Sequence, residues 1–338
     1  NVKGHIVDEN GNTVNDFKGT IHPIVFDNEE LITCMNNANE DIEPMKFNSR
    51  TKKLYTGTDS IKNGVFEFSF PVPLDINYSD ESGLLSLYAV NSTHTIEANG
   101  TYEDFIVGGT GQNENSDTEG PKIALSFNGK TINQMSDLED LQTHETPYFI
   151  AALYDESGIN TIGSGIGHDI NLIIDNDPHM TYNLNSYYHN KAGSWKEGYV
   201  TFSIPELEEG THNLLFRAWD NFNNHSSVSF DFTVTKGLQP NIFDVTINGP
   251  VSDKLELIIE NDRPSSVLDI EINVFDIAGR QVWRGTERGI SASNYYAYSC
   301  NMNATNGHLT PGIYICKVSV STSNGKKANK SKKFVVSQ

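Results

Sequence analysis

Carboxylates in short spacings are the residues of this chain best suited to chemistry. Acidic and amide oxygens gather at Asp155-Glu156, at Asp175-Asn176-Asp177 and at Asp220-Asn221. Calcium takes about six to eight such hard oxygens, so Asp155, Asp175, Asp177 and Asp220 are the calcium candidates. Loop carboxylates also serve as plain turn formers. Gly163-Ser164-Gly165-Ile166-Gly167 is glycine-rich, but a phosphate cradle needs a helix N-terminus behind it. Here His168-Asp169-Ile170-Asn171-Leu172-Ile173-Ile174 continues as a strand, so the run reads as a loop. The 10 histidines are scattered, with no His-Glu-x-x-His helix and no Gly-x-Ser-x-Gly elbow, which removes the commoner hydrolase signatures. The three cysteines, Cys34, Cys300 and Cys316, form no Cys-x-x-Cys pair, leaving thiolate zinc and dithiol redox chemistry unsupported. Cys300 and Cys316 sit in successive strand-like runs and could face each other, but spacing alone does not fix the geometry of a disulfide. No catalytic residue is assigned, and calcium is the one cofactor considered. For sugar binding, Trp195 in Ala192-Gly193-Ser194-Trp195-Lys196-Glu197-Gly198 sits where a loop could project, whereas Trp219 and Trp283 lie in strand-like runs.

The elements that would hold these residues are strands. Phe66, Phe68 and Phe70 alternate with Glu67 and Ser69, and Val228, Phe230, Phe232 and Val234 with Ser229, Asp231 and Thr233. Leu268, Ile270, Ile272 and Val274 alternate with Asp269, Glu271 and Asn273, while Leu255, Leu257 and Ile259 repeat the pattern. Period-two alternation marks half-buried strands. A short helical turn is expected only at Asp137 to Leu141. Asn-Gly pairs at 10–11, 63–64, 99–100, 128–129, 248–249, 306–307 and 324–325 supply the positive φ that tight hairpins need. Antiparallel sheets with one apolar face are covered most simply by a second sheet about 10 Å away. The expected fold class is therefore all-β, with three tandem Ig-like antiparallel β-sandwich domains at 1–112, 113–236 and 237–338. The first boundary falls in Gly108-Gly109-Thr110-Gly111-Gln112-Asn113-Glu114-Asn115-Ser116-Asp117 and the second at Lys236-Gly237-Leu238-Gln239-Pro240.

Charge is distributed unevenly along these segments. Residues 1–112 carry 7 basic and 17 acidic side chains, residues 113–236 carry 6 and 18, and residues 237–338 carry 11 and 9. Strong acidity argues against a nucleic-acid partner, which needs a clustered positive field. No apolar run approaches the roughly 20 residues of a spanning helix, so no direct membrane span is expected. The chain opens at Asn1 without Met and reads as a strand from Val2, which suggests a piece of a longer polypeptide.

The last segment is the most distinctive. It contains Phe275-Asp276-Ile277-Ala278-Gly279-Arg280-Gln281-Val282, then Asn306-Gly307-His308-Leu309-Thr310-Pro311-Gly312-Ile313-Tyr314-Ile315-Cys316-Lys317-Val318, and closes on Lys333-Phe334-Val335-Val336-Ser337. This order of strand, turn and strand resembles the C-terminal signal domain of the Bacteroidetes type IX secretion system. Lys326, Lys327, Lys330, Lys332 and Lys333 cluster around the final hairpin, where they could steer a partner or guard an exposed edge. The middle segment, with Gly120-Pro121-Lys122-Ile123, Pro147-Tyr148-Phe149-Ile150-Ala151-Ala152-Leu153-Tyr154-Asp155-Glu156-Ser157-Gly158 and Gly210-Thr211-His212-Asn213-Leu214-Leu215-Phe216-Arg217-Ala218-Trp219-Asp220, is similar to the region after the peptidase domain in the sortases of that system. These are gingipain-like cysteine peptidases. The first segment agrees through Val2-Lys3-Gly4-His5-Ile6-Val7-Asp8 and Phe105-Ile106-Val107-Gly108-Gly109.

The resemblance implies that the catalytic Cys and His belong to an upstream peptidase domain, so none of the three cysteines here is the nucleophile. It implies two supporting sandwiches and a retained signal domain that docks on an outer-membrane β-barrel partner, with localisation at the outer membrane and cell surface. Recognition would map to Pro311, Gly312, Tyr314, Phe334, Val335 and Val336, in strands at or near a sheet edge. The family's Pro-Asn-Pro opening appears here as Gln239-Pro240-Asn241-Ile242, with the next proline at Pro250. An adhesin or carbohydrate-binding protein exported by the same system is the alternative.

Overall fold

A computed structural model describes residues 1–37, 43–77, 79, 81–109, 117–162, 167–249, 251, 254–291, 294–301 and 309–337. Asn306-Gly307-His308, most of the Gly163 to Gly167 run, Pro250 and most of the first linker lie outside the described residues. The fold is all-β, built from antiparallel pairs apart from a short parallel contact of Gln142–Thr143 with His225–Val234. By internal contacts the chain divides into two compact units. One comprises Asn1–Ala124, Ala151–Thr201 and Asn213–Phe230, the other Leu125–Ile150, Phe202–His212 and Asp231–Gln338.

In the first unit, a sheet of order Lys53–Thr56, Gly19–Phe26, Leu84–Asn91, Glu97–Tyr102 carries Asp59–Ile61 as an extra partner of Gly19–Phe26. Val2–His5 pairs with Val65–Phe68, and Glu30–Thr33 with Lys46–Ser49. Phe66 and Phe68 enter the core with Ile21, Val25, Leu54 and Leu85. Phe70 packs on this core and stacks on Tyr55 at 5.0 Å, so one aromatic ladder lines one side. Glu30 sits in a polar knot under the adjoining loop, where the Asn77 side chain, Lys52 and Thr51 hold its carboxyl down at about 2.

Two five-stranded sheets are built largely from the middle segment. Their orders are Lys130–Ile132, Lys122–Phe127, Tyr148–Tyr154, Glu197–Ser203, Tyr188–Asn190, and Gln142–Thr143, His225–Val234, Gly210–Trp219, Asn171–Ile174, Thr181–Asn183. Within the second unit, Phe127 of one sheet meets Phe232 of the other at 5.2 Å. The second unit also holds the sheets Ile242–Asn248, Lys254–Asn261, Tyr295–Asn301 and Gln281–Ile290, Val267–Phe275, Gly312–Thr322, Lys327–Val336. Their apolar faces close one core in which Leu255, Ile259, Leu268, Ile272, Val274, Val318 and Val320 are all fully buried.

Several local expectations change. Asn63-Gly64 and Asn128-Gly129 adopt positive φ at both residues, as tight hairpins demand. Asn99-Gly100 instead lies inside the edge strand Glu97–Tyr102, paired with Tyr88 and Leu87, because the ladder to Leu84–Asn91 claims it. Gly249 has no positive φ either. The helical turn begins two residues earlier, as a 3₁₀ turn at Met135–Leu138. Cys34, Cys300 and Cys316 are all free, so the Cys300–Cys316 pairing is not formed.

One buried histidine shapes the second unit's response to acid. His144 is 5% exposed and lines a cleft of about 610 Å³ with Glu145, Ser203, Arg263 and Ser265. Its Nδ1 accepts from the Thr146 amide at 3.3 Å. Burial first and the Arg263 guanidinium second push its pKa down to about 3, against Glu145 and the Asp262 backbone.

Two measurements follow from this packing. Ile272→Ala, at a fully buried site, loses about 2–5 kcal/mol in urea unfolding, whereas exposed Thr286→Ala stays within about 0.5 kcal/mol. In the unfolded chain the His144 imidazole titrates near its ordinary value of about 6.5 and binds a proton that the folded state refuses. The stability linked to His144 is thus complete above about pH 6.5 and drains away as pH falls toward 3, on the order of 3–5 kcal/mol in total. Unfolding of wild type and His144→Leu between pH 7 and pH 4 should show the wild type losing stability faster.

Candidate functional site

Three turns of the first unit converge their carboxylates. Asp117 precedes the strand Lys122–Phe127, Asp155 follows Tyr148–Tyr154, and Asp220 follows Gly210–Trp219. A ligand oxygen from each lies within 4.8 Å of the others. Asp155 is 5% exposed and Asp220 fully buried. Each is fastened by short turn bonds. The Ser157 amide donates to Asp155 Oδ1 at 2.7 Å, the Ser157 hydroxyl to Asp117, and the Phe222 and Asn224 amides to Asp220 Oδ1 at 2.9 and 2.7 Å. Burial pushes the Asp155 carboxyl up to about 6, with Asp220 and Asp117 adding repulsion against the restraining Ser157 amide. Burial likewise raises Asp220, opposed by the Asn224 bonds, whereas the Ser157 hydroxyl pulls Asp117 down.

The four calcium candidates therefore separate. Asp155 and Asp220 come together, joined by Asp117, which the linker composition had hidden. Asp175, at φ 55°, accepts the Asn213 amide at 2.8 Å, and Asp177 caps the 3₁₀ turn Pro178–Met180 through the His179 amide. Those two serve turns of their own. Sequence reasoning also missed Asp75, whose carboxylate accepts from Asn160 Nδ2 at 2.9 Å and Asn223 Nδ2 at 3.1 Å and lies 2.8 Å from His168 Nδ1. His168 packs on Trp219, which packs in turn on His225. Trp195 is half-buried against the core of Ile21, Phe66 and Leu85, with the Lys196 ammonium 5.2 Å from its ring.

The terminal hairpin sorts its residues by alternation. Gly312–Thr322 runs between Val267–Phe275 and Lys327–Val336, so the last strand is the edge. Tyr314 and Phe334 pair directly and are each 6% exposed, and Val336 is 2% exposed. The Tyr314 hydroxyl donates to the Thr310 carbonyl at 2.8 Å. These three side chains belong to the core. Pro311, Gly312 and Val335 are exposed, and Val335 pairs across to Ile313, with Ile315 beside it opposite Lys333. The outward apolar set is thus Ile313, Ile315 and Val335, two of which the motif reading had passed over.

The edge itself is partly occupied. Val251 donates its amide to the Val335 carbonyl at 3.0 Å and accepts from the Ser337 amide at 2.9 Å. Lys330 Nζ donates to the Ile242 and Phe243 carbonyls, and Lys332 lies 3.4 Å from Asp244. Two of the clustered lysines therefore stitch the last strand to Ile242–Asn248.

No described helix is long and apolar enough to cross a membrane. No protein-family profile matches the chain, and no curated protein matches it. Among solved structures, the mixed-linkage glucan utilization locus protein SGBP-B of Bacteroides ovatus, in complex with a mixed-linkage heptasaccharide, is 11% identical over 95% of this chain and 60% of its own, with a TM-score of 0.29. The FN1–FN3 domains of chicken CNTN1 are 9% identical over 96% and 91%, with a TM-score of 0.23. Dimeric latent PorU from Porphyromonas gingivalis is 30% identical over 99% of this chain, with a TM-score of 0.40, and the chain spans 31% of it. The chain is thus similar in sequence to part of PorU.

Proposed function

We propose that this chain is the non-catalytic supporting and docking region of a type IX secretion sortase. In this reading a gingipain-like peptidase domain of the parent protein removes C-terminal signals from cargo and attaches the cargo to anionic surface lipopolysaccharide. The 30% identity to PorU over 99% of the chain carries the reading. The chemistry of the thiols agrees with a non-catalytic role. Burial drives Cys316 up to about 12 and also raises Cys300, the opposite of what a nucleophilic thiolate needs.

The last segment is the docking element. Its contact surface is the outward face of the terminal hairpin, where Ile313, Ile315 and Val335 are 43%, 42% and 51% exposed and Lys317 and Lys333 flank them. An outer-membrane β-barrel protein is the partner, and the cell surface is the location. Core burial withdraws Tyr314, Phe334 and Val336 from direct contact and gives them the task of holding that face in shape. The carbohydrate-binding alternative draws less support, since Trp195 packs on a core instead of standing free.

Removing residues 312–338 would take two of the four strands of their sheet, so point changes are the cleaner test. In cells carrying the full-length parent protein, Ile313→Asp with Val335→Asp should abolish surface retention while leaving the purified chain's melting curve nearly unchanged. Tyr314→Ala should instead lower stability by about 3–5 kcal/mol, as for other large aromatic truncations. Normal surface retention of the Asp double variant would refute the docking role. A parent coding sequence without a Cys–His peptidase domain would refute the sortase reading.

A further inference from the structure

The carboxylates of Asp117, Asp155 and Asp220 lack a positive counterpart. Among the described residues none of the three forms an ion pair. The neighbouring bridges use other acids, Asp75 with His168 and Glu156 with Lys196. Their ligand atoms nevertheless lie within 4.8 Å of one another. Oxygens bound to one calcium at about 2.3–2.6 Å stand at most about 4.6–5.2 Å apart, so this spacing leaves room for a shared ion.

A second observation points to the same place. Asn221 is 4% exposed, and its Nδ2 donates to the Ser157 carbonyl at 2.8 Å. Ser157 is the residue whose amide and hydroxyl hold Asp155 and Asp117. With Nδ2 turned to that carbonyl, the carboxamide oxygen is left buried and without a hydrogen-bond partner, on the residue next to Asp220. Asn221 thus brings a buried acceptor without a donor to Ser157, the residue that holds Asp155 and Asp117, and to the turn that carries Asp220. Zinc and copper favour nitrogen and sulfur ligands, which the group lacks. Magnesium demands near-octahedral geometry and keeps several waters, whereas calcium accepts irregular oxygen cages made by turns.

We propose that Asp117, Asp155 and Asp220, with the carboxamide oxygen of Asn221, bind one calcium ion that ties the segment entering Lys122–Phe127 to the turns after Tyr148–Tyr154 and Gly210–Trp219. The ion neutralises a pole that is otherwise self-repelling. It makes the entry segment part of the fold's rigid frame. None of these ligands belongs to the terminal hairpin, so calcium binding and surface docking stand or fall separately.

The test uses the whole 338-residue chain, stripped with EDTA and titrated with calcium chloride by calorimetry. Terbium luminescence excited through tryptophan is read in parallel, since Trp219 adjoins Asp220. One ion should bind per chain, calcium should displace terbium, and magnesium at equal concentration should not. Asp155→Asn and Asp220→Asn should each weaken binding by at least about tenfold. In EDTA, Asp155→Asn should melt no lower than wild type, because it removes repulsion, and calcium should raise the melting temperature of wild type alone. Absence of both heat and terbium signal in the wild type at millimolar ion would overturn the site. Undiminished calcium binding by both variants would do the same.

Discussion

Burial of one face of each antiparallel sheet is the constraint on which the rest of this protein depends. An extended chain sends successive side chains to opposite faces, so every apolar residue committed to the core fixes its neighbours on the outside. In the last segment, Leu255, Leu257 and Ile259 of one sheet share a core with Leu268, Ile270, Ile272 and Val274 of the other. The same rule divides the terminal hairpin, where Tyr314 and Phe334 point in while Ile313 and Val335 point out. A recognition sequence carried on such a hairpin therefore has two classes of residue. One set maintains the shape, and the other can touch a partner.

Chemistry is left to the ends of the strands. Asp155 and Asp220 each occupy the first position after a strand, where a side chain can leave the sheet without disturbing the ladder. Asp75 shows the same economy from a loop, gathering Asn160, His168 and Asn223 around one carboxylate. Rigid strands with polar turns give positional accuracy without a deep cavity.

Strand identity was readable in the sequence because alternation is local. Phe66 with Phe68 and Leu268 through Val274 declared their faces unaided. Hairpin position was less so, since Asn99-Gly100 carries the same turn signal as Asn63-Gly64 yet serves as ladder, and only pairing with Leu84–Asn91 distinguishes them. The acidic pole was half legible. Asp155 and Asp220 stood out as oxygen-rich turns, but Asp117 looked like linker, and Asp175 with Asp177 looked equivalent to Asp155 until their amide partners were seen. Convergence of distant loops is a tertiary property that no spacing records. The segment proposed for docking was named from its motif, and the inward or outward sense of its side chains emerged only from register.

Val251 gives the molecule a mechanical character. By grasping Val335 and Ser337 from the far side, it makes a clasp at the place where traction on the chain's tail would begin. A pull there must rupture the two hydrogen bonds to Val251 along with the Gly312–Val336 rung that lies between them, before the terminal strand can peel further from Gly312–Thr322. The tail is thus latched like a buckled strap: secure against thermal fraying, yet released in sequence once the buckle is opened.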